Sequence, residues 1–215
     1  ALPLPGISYA VNGGTSKAGE NEIGDIGTLY FPDTRFLSET ITWPGQWIIP
    51  GLETWAPATL TVSNVWTRFP ADGFTYAVAG NVTVTGGAAR LDIGGSHYDT
   101  YEGLTMSTNA TPQRLYVGGD LDLIGGGKLY AYAACTNDAF PDWGALVSVT
   151  GTVTVASGCR VYPNCHDENG GSPLFEVGAL TVAANAGIDA DYRGYRTGQP
   201  YATSYYYQNG LGPGG

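Results

Sequence analysis

Residues 117–133 read VGGDLDLIGGGKLYAYA, two short runs of alternating apolar and polar residues split by three glycines. The same grammar returns three times. VAGNVTVTGGAARLDIGG precedes it at 78–95, and VTGTVTVASGCRVYPNC and VGALTVAANAGIDADY follow at 149–165 and 177–192. Aligned on Gly80, Gly119, Gly151 and Gly178, the copies lie 39, 32 and 27 residues apart. A first run alternates Val82/Val84, Leu121/Leu123, Val153/Val155 and Leu180/Val182, and a second centres on Leu91, Leu129, Val161 and Ile188. A third leads into each glycine: FTYAV, RLYV, LVSV, LFEV. Period-two alternation over four or five residues predicts short strands with one buried face, and the glycine-rich joints predict tight corners.

Three strands per unit, recurring in fixed order, predict a solenoid whose rounds bury one another's inward side chains. The expected fold is therefore all-β, a single-stranded parallel β-helix. An antiparallel sandwich also uses short alternating strands, but it does not call for like residues repeating strand for strand. The length differences fall after the second run, in GSHYDTYEGLTMSTNATPQ, ACTNDAFPDWG and HDENGGS, so one edge carries loops while the other corners stay tight. Such an edge is where binding residues are expected.

The domain reading is a cap or degenerate first coils over 1–74, β-helix repeats over 75–196 and a low-complexity tail over 197–215. ATLTVSNVWTRF fits an earlier coil, with Leu60 and Val62 in the roles of Val82 and Val84. Trp43, Trp47, Trp55 and Trp66 all fall in the first third, as an aromatic-rich cap over an open core end would place them. The tail, dominated by Gly, Pro, Tyr and Gln, shows no alternation.

The pattern GGDLDLIGGGKLYAYA, GTVTVASGCRVYP and GALTVAANAGIDADYRGY, followed by GLGPGG, resembles the Gly-rich parallel β-helix repeats of large bacterial surface proteins, autotransporter passengers and adhesin-like proteins among them. The resemblance covers residues ~75 to 215. It implies an extracellular or cell-surface scaffold, adhesin or filament component without catalysis. The shared positions are core apolars and corner glycines, so no residue role comes with it.

Composition bounds the partners. Net charge is −10 with only 13% charged residues, against roughly 25% in an average globular chain. Without a basic surface to replace phosphate counterions, nucleic acid is not an expected partner. No apolar run approaches the ~20 residues of a membrane-spanning helix. A start at Ala1 is what signal-peptide cleavage would leave, and scarce lysine, abundant Thr, Gly and Tyr and three cysteines fit an exported protein.

Candidate chemistry follows from the alignment. Arg90, Lys128 and Arg160 stack as a basic ladder on the outer face of the second run, with Asp92 a nearby counter-charge, and the stack reads as a structural ladder or a strip for acidic glycans. Tyr98, Tyr101, Tyr130, Tyr132, Tyr162, Tyr192 and Tyr195, with Trp143, gather near the loop edge as a candidate surface for protein or glycan contact. Asp120 and Asp122, like Asp189 and Asp191, align with no further carboxylates and read as a solvated face. His97 and His166 fall in loops on the same edge without stacked acids or thiols. No catalytic, metal or cofactor site is expected. Cys135 and Cys165 leave that edge one coil apart, at offsets of six and four from Leu129 and Val161, and are expected to form a disulfide, while Cys159 turns inward. Self-association is expected head to tail, with ALPLPGISYAV or GTLYF donating a strand. The alternative reading is a glycan-binding or glycan-cleaving, polysaccharide-lyase-like β-helix.

Overall fold

The computed structural model describes residues 9, 11, 25–99, 104–107, 109–136, 142–166, 171–191 and 193–194. The described residues form short strands in close succession. β1 (Thr28–Tyr30), β2 (Thr40–Ile41) and β3 (Gly45–Ile48) open the fold, with a 3-10 turn at Thr34–Phe36. Next come β4 (Thr54–Trp55), β5 (Leu60–Ser63) and β6 (Trp66–Arg68), then β7 (Thr75–Val78), β8 (Val82–Thr85) and β9 (Arg90–Ile93). A hairpin, β10 (Ser96–Asp99) and β11 (Leu104–Ser107), intervenes. The succession resumes with β12 (Gln113–Val117), β13 (Leu121–Ile124) and β14 (Lys128–Tyr132). β15 (Ala145–Val155) and β16 (Arg160–Asn164) precede β17 (Pro173–Val182) and β18 (Gly187–Ile188). No α-helix occurs among the described residues.

Three ladders of parallel strands result. One joins β4, β7, β12 and the first halves of β15 and β17, with Tyr76, Leu115, Val147 and Phe175 in register. The second joins β2, β5, β8, β13 and the second halves of β15 and β17, with Ile41, Val62, Val84, Leu123, Val155 and Val182 in register. Because β15 and β17 run through both, these ladders are one nine-stranded sheet bent at an irregularity after Val149. The third ladder is a separate seven-stranded sheet, β1-β3-β6-β9-β14-β16-β18. Among the described residues, β10–β11 is the antiparallel exception.

The expected columns stand in register. Leu60, Val82, Leu121, Val153 and Leu180 are consecutive partners, as are Leu91, Leu129, Val161 and Ile188. Within each, the members before the last are buried. Each such side chain contributes about 1.5–3 kcal/mol by leaving water. The aligned glycines earn their recurrence through close approach. A Cβ on Gly151 would overlap the Asp120 carboxylate, and one on Gly178 would overlap Thr150 O. Corners stacked at strand spacing leave no room for a side chain.

The first third adds strands to these sheets, and Leu60 and Val62 align with Val82 and Val84 as expected. Trp47 stacks toward Phe69 (6.4 Å between ring centroids), and Phe69 lies parallel to Phe74 at 4.6 Å. Tyr9 packs edge-on against Phe31 (5.4 Å) and Trp43 (4.8 Å), while Gly27 N–H donates to Val11 O. Trp43, Trp47 and Trp55 thus join the aromatic core at this end. Trp66 does not: it stands on the outer face of the third ladder. The segment GTLYF is already engaged, since β1 pairs with β3.

Candidate functional site

The long segments follow the third ladder, and the chemically richest face of the molecule is that ladder's outer side. Alternation turns two columns outward there. One is Trp66, Arg90, Lys128 and Arg160, so the expected basic ladder exists in register. The other is Gln46, Arg68, Asp92, Tyr130 and Tyr162.

At the centre, Arg90 lies between two rings, its guanidinium carbon 3.9 Å from the Trp66 centroid and 3.8 Å from that of Tyr130. Arg90 Nε donates to Asp92 Oδ1 (2.6 Å) and Nη2 to Asp92 Oδ2 (2.8 Å). Trp66 Nε1–H donates to the same Oδ2 at 2.8 Å, and Arg90 Nη2 also reaches Tyr132 Oη at 2.9 Å. The Asp92 side chain has no exposed surface, and that of Arg90 retains 19%. Burial alone would lower the Arg90 pKa. The charge and hydrogen bonds of Asp92 outweigh it, and the guanidinium is held above its ordinary value.

The three stacked cations meet different fates. Arg90 is neutralised by Asp92. Arg160 Nη1 donates to the carbonyls of Cys159 (2.9 Å) and Asn185 (2.6 Å). The Lys128 ammonium has no hydrogen-bond or ion-pair partner among the described residues, while its backbone N–H donates to Ala89 O. Below Asp92, Arg68 is buried, donates to Gln46 Oε1 and forms an ion pair with Asp25. Above it, Tyr130 and Tyr162 stack at 4.3 Å, and Arg193 lies 4.3 Å from the Tyr162 centroid while donating to Asn164 Oδ1. Burial raises the Tyr130 phenol pKa. The result is a continuous run of cations and rings, Trp66–Arg90–Tyr130–Tyr162–Arg193, in which each ring lies against at least one side chain of this chain.

The candidate aromatic surface separates into parts. Tyr130 and Tyr162 belong to the run just described. Tyr132 is fully buried, its hydroxyl spent on Arg90, so it presents no surface to a partner. Trp143 is half-buried, 5.5 Å from the Arg114 guanidinium. Tyr98 lies in β10, of which only the backbone is described, and Tyr101, Tyr192 and Tyr195 fall outside the described residues.

At the loop edge the expected disulfide is not formed. No disulfide joins Cys135, Cys159 and Cys165 to one another. Cys135 Sγ is 3.3 Å from His166 Nε2, and Cys165 Sγ is 3.3 Å from Ser172 Oγ. The register explains the difference. Tyr132 pairs with Asn164, which sets Cys165 opposite Ala133, two residues short of Cys135. Two residues along a strand and one strand across separate Cα atoms by ~8 Å, beyond disulfide reach. Cys159 is buried as expected, opposite Gly127. His97 lies in β10 and pairs with Met106, so the first loop carries a hairpin that sequence reasoning missed. His166 is nearly buried.

The carboxylates brace backbone. Asp120 Oδ1 accepts from Thr152 N–H (2.8 Å), tying one corner to the next, and Asp189 Oδ1 accepts from Asp191 N–H (3.1 Å). Two buried amides also escaped the sequence reading. Gln113 Oε1 accepts from Gly94 N–H while its Nε2 donates to Phe69 O and Ala71 O, and Asn109 bridges Gly95 N–H and Tyr132 O. They tie the residues just after the hairpin to Gly94 and Gly95 just before it, and their only signal was two amides following a Gly/Ser/Thr-rich loop.

Among the described residues no helix is long and apolar enough to cross a membrane. No protein-family profile, curated protein or solved structure matches the chain.

Proposed function

We propose that the chain is a single-stranded parallel β-helix acting outside the cell as a non-catalytic structural or adhesive unit. The observation that carries this reading is one register running through three parallel ladders from residue 28 to residue 188, with the long inserted segments gathered after the third. From β4 onward, apart from the β10–β11 hairpin, consecutive strands fall in successive ladders, as the turns of a coil do. A stacked scaffold suits a molecule that must hold a shape, and its inserted segments are the parts free to vary.

The side chains support a structural role for the face that sequence reasoning offered to acidic glycans. Arg90 and Arg160 are satisfied internally, and the rings of Tyr130 and Tyr162 are engaged by Arg90, Arg193 and each other. Export is supported by composition alone: low charge, little lysine and abundant Gly, Thr and Tyr.

Incubating the purified chain with acidic and neutral polysaccharides, followed by assays for unsaturated products and reducing ends, tests the functional reading. No turnover is expected, and sustained product formation would overturn it. Electron cryomicroscopy of the same sample tests the fold. A rod with layers spaced ~4.8 Å apart is expected, and its absence would remove the β-helix.

A further inference from the structure

The columns end unequally. At the first-strand end, Tyr9 and Val11 lie over the aromatic core. At the other end, the last member of each column is uncovered among the described residues. Leu180 is 49% exposed, Val182 44% and Ile188 52%, whereas their partners one strand earlier are buried. β17 is a ten-residue strand that pairs with β15 on one side. Its other side presents a row of backbone donors and acceptors with no described partner, the usual template for strand addition.

We propose that this edge is a self-association surface that pairs with the same edge of a second copy of the chain, about a two-fold axis at the Val177–Gly178 link. The inference rests on the stacked-coil reading above. It differs from head-to-tail growth: GTLYF already pairs with β3 as part of β1, and all of ALPLPGISYAV but Tyr9 and Val11 lies outside the described residues.

The argument for a second copy is self-complementarity. β17 bends where it passes between the two ladders, leaving one arm on each side of Gly178. Phe175 and Val177 stand in the inward columns of the first arm, Leu180 and Val182 in those of the second. A two-fold axis through the bend lays each arm antiparallel on the other arm of the partner. Phe175 then faces the partner's Leu180, Pro173 the partner's Val182 and Glu176 the partner's Ala179. Inward residues meet inward residues, and the one charged side chain of the strand meets an alanine instead of another carboxylate. An isologous contact requires this reciprocity. A shift of one residue would set inward positions against outward ones. Pro173 lacks an N–H but lies at the strand's first position, where its absence costs least.

The end is also large enough. Residues 173–188 trace about 50 Å of backbone at ~3.3 Å per residue, and a strip ~10 Å wide gives roughly 500 Å² per copy. The total of about 1,000 Å² reaches the lower bound for a specific interface.

Sedimentation of the full chain across concentrations up to roughly 100 µM, spanning weak protein association, reads the mass. A dimer is expected, and Leu180→Asp should return it to monomer with the near-UV spectrum of the parent and a melting temperature close to that of the parent diluted until it is monomeric. Double substitution Glu176→Cys with Ala179→Cys should yield a covalent dimer under mild oxidation, while neither single substitution does. A monomer throughout, an open-ended polymer, a dimer indifferent to Leu180→Asp, or a double-cysteine chain that fails to link would each overturn the proposal. So would slow amide exchange along β17 in a monomer, which would show the edge covered from within by residues 195–215. Loss of the ~4.8 Å layers in microscopy would instead strike the stacked-coil reading, so the two failures are distinguishable.

Discussion

Asp92→Ala should be among the costliest polar substitutions in this chain. The Asp92 carboxylate has no exposed surface and accepts three hydrogen bonds, two from Arg90 at 2.6 and 2.8 Å and one from Trp66 Nε1 at 2.8 Å. Without it the Arg90 guanidinium stays wedged between Trp66 and Tyr130 with one neutral acceptor, Tyr132 Oη. Removing one partner of a buried ion pair costs about 3–5 kcal/mol, because the other charge is left uncompensated. For a chain of this size, 1 kcal/mol moves the melting temperature by ~2–4 °C, so a fall of about 6–20 °C is expected. Urea denaturation followed by tryptophan fluorescence should show a lower midpoint at an unchanged slope. Arg90→Met should cost a similar amount, and the double variant much less than the two together, with a coupling of about 1–3 kcal/mol. An Asp92→Ala chain within ~1 kcal/mol of the parent would refute the reasoning. Arg90 would then be compensated by solvent, and the face would again be open to acidic glycans.

Three further outcomes follow from burial. The Tyr76 phenol is fully buried and its pKa is raised, chiefly by desolvation; the native state keeps that proton after an unfolded tyrosine, near 10, has lost its own. Its stability contribution is therefore complete below about pH 10 and lost as pH rises through the folded value, and urea midpoints measured from pH 8 to 11 should fall less steeply in Tyr76→Phe. A disulfide-forming chromogenic reagent should titrate Cys135 and Cys165 in the native protein and Cys159 only after unfolding, and failure of the first two to react would restore the disulfide. Leu123→Ala should cost about 2–5 kcal/mol, whereas Val182→Ala in the same column should cost under about 1 kcal/mol, because Val182 is half exposed.

Alternation and repeat order made the columns legible, because a side chain's face in a strand depends only on parity. That suffices to align Leu60 with Val82 and to stack Arg90, Lys128 and Arg160. Parity does not say whether an outward residue is roofed. Asp92 sits at an outward position, yet Trp66, Arg90 and Tyr130 close over it, and nothing in the strand pattern distinguishes it from the more open Asp122. Tyr132 is hidden in the same way. The disulfide was misjudged for a finer reason. Distance from the start of a run fixes a residue's place along its own strand, but two residues of stagger at the strand's end exceed what a disulfide spans. The hairpin was illegible because SHYDTYEGLTMST has no clean alternation, and its base is held by Asn109 and Gln113 through long-range bonds.

The unequal ends also set how tightly a second copy should bind. A side chain left half exposed forgoes roughly half of the ~1.5–3 kcal/mol that full burial gives. Leu174, Leu180, Val182 and Ile188, each 36% to 52% exposed, together withhold about 3–6 kcal/mol that a covering surface would recover. Association costs an estimated 4–15 kcal/mol in lost translational and rotational freedom before any contact is counted. Side-chain burial at one end therefore does not suffice for a dimer. The backbone row of β17 must pair as well, each hydrogen bond adding about 0.5–1.5 kcal/mol net. A two-fold contact doubles the burial term, since each copy offers the same four side chains. Burial then supplies about 6–12 kcal/mol and the strand pairing several more, to be set against that single entropic cost. The aromatic end works the opposite way. Tyr9, Phe31, Trp43 and Trp47 pack on one another there, and Phe31 and Trp47 are buried where Leu180 and Val182 are half exposed.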